Sequence, residues 1–260
     1  MTTHAAKTLT SILQRIKPDP ERSARIEWER AEHLQQERLQ LAARKFPFGE
    51  RFMDARFNTY TTVDPQQKRA AKAVEATARA VAEKQFTLKR PWLILSGNPG
   101  TGKTHLLAAA YWLLAETAVV KGDRIYGLPR VFTAGELFDT IRADVYGSDR
   151  FNKTSPDSIR AAIRRRISGP LVIIDDFGVG MPPIGAQSPS QQEITFNLFN
   201  ELYNANKPLL LATNLPIDRT RKGGLRLCDV LGARAWDRCT EAAEIVTCNW
   251  PSHRQGENLL

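Results

Sequence analysis

Apolar and polar positions divide the chain into two regimes. From Pro91 onward, short apolar runs alternate with longer amphipathic stretches. Runs at 92–96, 130–133, 171–175, 208–213 and 244–248 predict strands, the most apolar of them buried on both faces. Helices are predicted between them, one opening at Gly102 and running to 116. Thr133 and Glu136 have the spacing of a capping box, and Ser190 with Glu193 repeats it. Ser155-Pro156 places an N-cap before a first-turn proline. Strands alternating with helices predict an α/β fold with a parallel sheet flanked by helices. The Gly- and Pro-rich stretch 178–189 predicts a mobile loop.

The N-terminal third reads differently. Residues 21–45 hold no Gly or Pro, and Trp28, Ala31, Leu34 or Gln35, Arg38 and Leu41 recur at helical spacing. One long helix is expected, entered through Pro18-Asp19-Pro20, with a thin apolar stripe. Such a helix packs on a partner or on its own domain. Lys45-Phe46-Pro47-Phe48-Gly49 breaks the pattern, and Asp64-Pro65 starts a second, Ala-rich helix over 66–85. Three regions are therefore expected: a helical docking region at 1–50, a helical linker at 51–90, and a core at 91–260. The net charge is +9, and residues 1–90 carry most of the excess, with 18 Lys/Arg against 11 Asp/Glu. That balance favours a polyanionic partner. No run has the length of a membrane span, and the start lacks the apolar core of a secretory signal. Cys228, Cys239 and Cys248 form no Cys-x-x-Cys pair, which fits buried thiols in a reducing cytosol better than a zinc site.

Four motifs carry candidate chemistry. Gly97-Asn98-Pro99-Gly100-Thr101-Gly102-Lys103-Thr104 fits a phosphate loop and stands between a predicted strand and helix. Its glycines let backbone N–H groups curl around phosphate oxygens, and the helix N-terminus adds a positive dipole end. Lys103 can reach the β- and γ-phosphates of ATP, and the Thr104 hydroxyl can ligate Mg2+. Asp175 and Asp176 end the strand 171–175, at the edge where parallel sheets hold ligands. Asp175 would hold Mg2+, and Asp176 would orient and deprotonate the attacking water. Asn214 ends another strand and could hydrogen-bond that water or the γ-phosphate. Arg234 and Arg238 share one helix face. Such an arginine can stabilise charge on a neighbouring subunit's γ-phosphate, or simply lie on a surface helix.

Together these elements resemble the AAA+ ATPases of the DnaC/IstB group, bacterial helicase loaders and ATPase helpers of insertion-sequence transposition. The resemblance runs from about Phe57 to Arg254. It takes 97–104 as Walker A, 171–176 with Phe177-Gly178 as Walker B, Thr213-Asn214-Leu215 as sensor 1, and 231–238 as the arginine-finger box. Asn249-Trp250-Pro251-Ser252-His253-Arg254 is similar to the loaders' closing segment, with His253 in place of the usual Tyr. The resemblance implies a lidless P-loop core with a helical N-terminal extension. It implies a binding set of 97–104 with His105, a metal set of Thr104 and Asp175, and catalytic roles for Asp176 and Asn214. Arg238 is implied as the finger in trans, Arg234 as second choice, and Arg254 as a sensor-2-like arginine in cis. Asp176 stands where many AAA+ proteins carry Glu, which implies slow hydrolysis. The expected activity is loading of a replicative helicase onto single-stranded DNA by a homo-oligomer assembled with ATP. Tyr146 and Ser188–Ser190 are candidates for contacting that DNA, against plainer readings as a loop tyrosine and a helix cap. The alternative is a transposition helper that binds duplex DNA and recruits a transposase. A third reading is a nucleotide-gated module with negligible turnover.

Overall fold

The computed structural model describes residues 20–84, 89–146, 156–217 and 224–253. Among them, five parallel strands form one sheet in the order β4-β5-β6-β1-β7. The strands are β1 (Trp92–Gly97), β4 (Arg130–Thr133), β5 (Val172–Phe177), β6 (Leu209–Thr213) and β7 (Ala243–Cys248). A small antiparallel hairpin of β2 (Val119–Lys121) and β3 (Arg124–Tyr126) stands apart. The helices are α1 (Pro20–Ala43), α2 (Pro65–Ala82), α3 (Lys103–Thr117), α4 (Ala134–Tyr146), α5 (Pro156–Arg166), α6 (Pro189–Asn204), α7 (Leu227–Leu231) and α8 (Ala233–Ala242).

The period-2 alternation of strand side chains divides the apolar runs between two cores. Trp92, Ile94, Val172, Ile174, Leu209 and Leu211 face one side, against Leu137, Ile141, Ile163, Leu198 and Phe199 of α4, α5 and α6. Leu93, Leu95, Ile173, Leu210 and Val246 face the other, against Ala70, Val74 and Ala78 of α2 and Leu106, Leu107, Ala110 and Leu114 of α3. Each large side chain so buried stabilises the fold by about 1.5–3 kcal/mol before entropy is counted. α2 thus covers the same sheet face as α3. Its entry is a full capping box on Asp64, with Gln66 N–H donating to the Asp64 carboxylate at 2.6 Å and Asp64 N–H to Gln67 at 3.0 Å.

α1 is divided along its length. Its last turn packs on α3: Ala42 is fully buried, and the Tyr111 hydroxyl donates to the Ala42 carbonyl at 2.9 Å. Phe46 stacks on Trp112 with ring centres 5.0 Å apart. Towards its N-terminus the helix stands clear, with Trp28 64 % and Leu34 52 % exposed.

Two local expectations change, and one element is new. The cap of α6 is Ser188, not Ser190, because Pro189 takes the first helical position and Gln191 N–H donates to the Ser188 hydroxyl at 3.3 Å. The stretch 178–189 is pinned: Met181 is buried, and the Gln187 amide donates to the carbonyls of Pro182 at 3.0 Å and Val230 at 2.9 Å. The β2–β3 hairpin was not expected at all. The Thr133–Glu136 capping box is formed in both directions, at 3.0 and 3.3 Å. Cys239 and Cys248 are buried thiols. Among the described residues no helix is long and apolar enough to cross a membrane.

Candidate nucleotide-binding site

The loop between β1 and α3 lies at the C-terminal edge of the sheet. Gly97, Gly100 and Gly102 all take positive φ, at 152°, 81° and 86°. Space requires glycine there as well as conformation. A Cβ on Gly97 would strike the Cys248 carbonyl, and one on Gly102 would meet the Tyr60 ring at 2.6 Å. Lys103 opens α3 and is 6 % exposed. Its ammonium donates to the carbonyls of Gly97 and Asn98, each at 2.8 Å. The charge is thus held by loop carbonyls beside the space where phosphate charge would lie.

β5 supplies the carboxylates through a bulge. Ile174 pairs with Leu211 and Phe177 with Thr213, so β5 carries one more residue than β6 over that interval. The extra residue lets both Asp175 and Asp176 reach the site. Asp176 takes φ +51°, a left-handed conformation that Asp tolerates better than bulky residues. Its N–H donates to the Asp175 carboxylate at 2.9 Å. Asp175 is buried and accepts a hydrogen bond from the Thr104 hydroxyl. Burial first, and then the neighbouring Asp176 charge, push the Asp175 carboxyl above its ordinary range. A buried carboxylate paired with a hydroxyl is the hard, oxygen-rich donor set that magnesium takes. The residues present therefore fit that ion.

β6 positions Asn214. The Thr213 hydroxyl donates to the Phe177 carbonyl at 2.7 Å and accepts from Leu215 N–H at 3.0 Å. Ser96 on β1 donates to the Leu215 carbonyl at 2.7 Å. These bonds tie the strand ends together, and Asn214 joins Lys103, Thr104 and Asp176 in lining one cleft of about 380 Å³. Pro99, Gly100, Gly102 and His105 also line it. Gly97, Asn98, Thr101 and Asp175 are not among the lining residues of this cleft.

Of the rest of the lining, His253 belongs to the closing segment already singled out by resemblance, and the residues of 51–61 carry no such motif. Arg51, Phe52, Thr59, Tyr60 and Thr61 close one side, and His253 closes another. The 51–61 segment is held to α3: His105 Nε2 lies 3.1 Å from the Arg56 carbonyl, and the Arg56 guanidinium sits 4.3 Å over the Trp112 ring. Burial lowers the His105 pKa. A lone aromatic in an irregular segment carries no periodic signal, so Phe52 and Tyr60 could only be found in three dimensions.

Arg234 and Arg238 lie on α8, apart from the cleft lining. The Arg238 guanidinium sits 4.7 Å over Tyr203 and 3.4 Å from Asp237, while Arg234 is exposed with its guanidinium 5.6 Å from the Phe196 ring centre. Arg254 lies outside the described residues. Tyr146 is the last residue of α4, and Ser188 is the cap of α6.

A glycine loop closing on a lysine, two carboxylates at a strand bulge and a polar strand end are brought together at one edge of the sheet. The sequence model of one family, described as IstB-like ATP binding protein, matches residues 9–259. The chain belongs to that family. As an IstB-like ATP-binding protein it is similar to phage-like element PBSX protein XkdC of Bacillus subtilis, at 28 % identity over 67 % of this chain and 58 % of that protein. It is also similar to the chromosomal replication initiator protein DnaA of Deinococcus radiodurans, at 33 % identity over 58 % of this chain and 28 % of that one. The chain thus spans less than two thirds of the length of either relative. Among solved structures, the DnaC helicase loader is similar at 20 % identity and a TM-score of 0.55, covering 76 % of this chain and 99 % of that one. DnaI is similar at 21 % identity and a TM-score of 0.52, covering 79 % and 94 %. The fold is that of the AAA+ P-loop ATPases.

Proposed function

We propose that this IstB-like ATP-binding protein is a slow AAA+ ATPase that assembles on ATP and loads a replicative helicase onto single-stranded DNA. The observation that carries the ATPase half is the convergence of Lys103, Thr104, Asp176 and Asn214 on one cleft, with Asp175 behind Thr104. The loop N–H groups and Lys103 bind the phosphates. The segment 51–61 offers Phe52 to the nucleoside end. Thr104 and Asp175 would hold magnesium, which supplies positive charge to the phosphoryl oxygens when bound. Asp176 takes the proton of the attacking water, and Asn214 orients that water. The Asp176 side chain is one methylene shorter than Glu, which fits slow turnover.

The loader half rests on the fold shared with the DnaC helicase loader across nearly all of that chain. The exposed N-terminal half of α1 supplies a surface for the helicase. The second reading, a transposition helper that recruits a transposase to duplex DNA, is favoured by the family description itself. Steady-state phosphate release tests the ATPase, with Lys103→Ala as control. Turnover stimulated by DNA and lost in the variant is expected, with ATP affinity falling at least about 100-fold, as for loss of one partner of a buried charge contact. Equal ATP affinity in the variant would reject the site. Capture of a purified replicative helicase supports the loader; capture of a transposase alone supports the helper.

A further inference from the structure

Two segments far apart in sequence, one holding Tyr60 and one holding Trp250, meet at the phosphate loop. The Trp250 indole N–H donates to the Thr101 carbonyl at 2.8 Å. The Tyr60 hydroxyl donates to the same carbonyl at 2.9 Å. Tyr60 and Trp250 are 7 % and 4 % exposed, so neither bond competes freely with water. One residue earlier, the Gly100 carbonyl accepts from His253 N–H at 2.9 Å. Residues 41 and 149 positions from Thr101 therefore converge on one acceptor.

The peptide plane gives this arrangement a consequence. In a trans peptide the C=O and the following N–H point in opposite directions. With the Thr101 carbonyl bonded to Trp250 and Tyr60, the Gly102 N–H of the same peptide points the opposite way, and Gly102 lines the cleft. With the Gly100 carbonyl bonded to His253 N–H, the Thr101 N–H likewise points away from that contact. Those N–H groups are the donors a phosphate loop offers its anion. Glycine at 100 and 102 is conformationally permissive, so the Thr101 hydroxyl bond to the Asn98 carbonyl inside the loop and the donors from outside it together fix these peptides. Burial holds the Tyr60 phenol well above its ordinary range, and it stays a donor.

We infer that Trp250 and Tyr60 are positioning residues that set the 101–102 peptide for phosphate binding through their shared acceptor, the Thr101 carbonyl. The inference rests on the ATP reading and deepens it. A carbonyl has two lone pairs, so either donor alone can hold the peptide in part. Loss of both leaves a buried acceptor unpaired, which is the costly case. The loop then relaxes in the empty protein and must be restored when ATP binds.

The test is a double-mutant cycle of Trp250→Phe and Tyr60→Phe in the full chain, read by ATP titration and by thermal unfolding without nucleotide. Each single variant should weaken ATP binding about threefold, and the pair at least about tenfold beyond the product of the singles. Nucleotide-free Tm should not show that coupling. Additive ATP affinities, or coupling in Tm alone, would overturn the inference and make the pair a packing feature. If the double variant does not fold, Tyr60→Phe decides alone: an unchanged ATP affinity overturns the inference, and a threefold loss at unchanged Tm supports it. A parent chain that binds no ATP would instead overturn the nucleotide reading, and the inference with it.

Discussion

At the scale of single residues, Asp175 and Asp176 are adjacent in sequence and opposite in circumstance. Asp175 is 7 % exposed, with a carboxyl pushed up by burial and by its neighbour's charge. Asp176 is exposed and lines the cleft. A buried carboxylate awaiting a metal costs stability when the metal is absent. Asp175→Asn should therefore raise the Tm of chelator-treated protein by about 2–4 °C, corresponding to roughly 1 kcal/mol for a chain of this size. The same variant should lose the magnesium dependence of ATP binding. Asp176→Asn should leave Tm and MgATP affinity near the parent and cut turnover by about 10²–10⁴, the usual worth of a positioned base. Calorimetric or fluorimetric melting with EDTA, beside phosphate release, checks both. A chelated Asp175→Asn chain that melts below the parent would remove the idea of a strained metal-ready carboxylate.

At the scale of elements, the α4–α5 pair is tied by Asp144, which lies 2.7 Å from Arg166 and 3.7 Å from Arg165. The Arg166 hydrogen bond, followed by the charges of both arginines, holds the Asp144 carboxyl below its ordinary range against a burial effect of opposite sign. A lowered folded pKa contributes stability that is present above the unfolded value, near 3.9, and is lost as pH falls through the folded one. Asp144→Asn should thus cost about 0.5–1 kcal/mol at pH 7, the size of a partly exposed pair, and almost nothing at pH values where the parent's carboxyl is also protonated. Urea unfolding of both chains at pH 7 and near pH 2–3 tests the sign. An equal deficit at both pH values would assign the loss to packing. The sequence disclosed these elements unevenly. The five parallel strands were legible because runs such as Leu209-Leu210-Leu211 are too apolar to face water on either side. The phosphate loop was legible because its residues are contiguous. The β2–β3 hairpin was missed because each strand has three residues, although Gly122-Asp123 is a recognised two-residue turn. The side of the cleft built by Phe52 and Tyr60, and the support from Trp250, depend on tertiary contacts that no local pattern encodes.

At the scale of the whole molecule, two questions concern how chains meet their neighbours. The first is the arginine. Arg238 and Arg234 lie on α8 and are not among the residues lining the cleft, and the proposal is that one of them acts on a neighbouring subunit. Mixing Arg238→Ala with Lys103→Ala subunits should restore part of the hydrolysis that each lacks alone; a mixture with Arg234→Ala provides the comparison. No recovery in either mixture would favour a surface helix. The second is the N-terminal arm, and here the packing of α1 changes how the experiment must be cut. Removing residues 1–50 would strip Ala42 and Phe46 from Tyr111 and Trp112, and also the Arg38 bond to the Glu116 carbonyl at 2.6 Å. The loss of several large buried contacts would cost several kcal/mol, and a failure to capture a partner would then report unfolding. Removing residues 1–34 instead deletes Trp28 and Leu34, which stand in solvent, and keeps the packed turn. The shorter deletion should keep Tm within about 2 °C of the parent, keep ATP affinity, and abolish capture of the replicative helicase. If basic charge were the arm's only contribution, the deletion would weaken DNA binding instead, and the deficit would shrink as salt rises. A pull-down at two salt concentrations, paired with DNA titrations, separates the two. Helicase capture that survives removal of residues 1–34 would move the docking surface off α1 and onto the ATPase core.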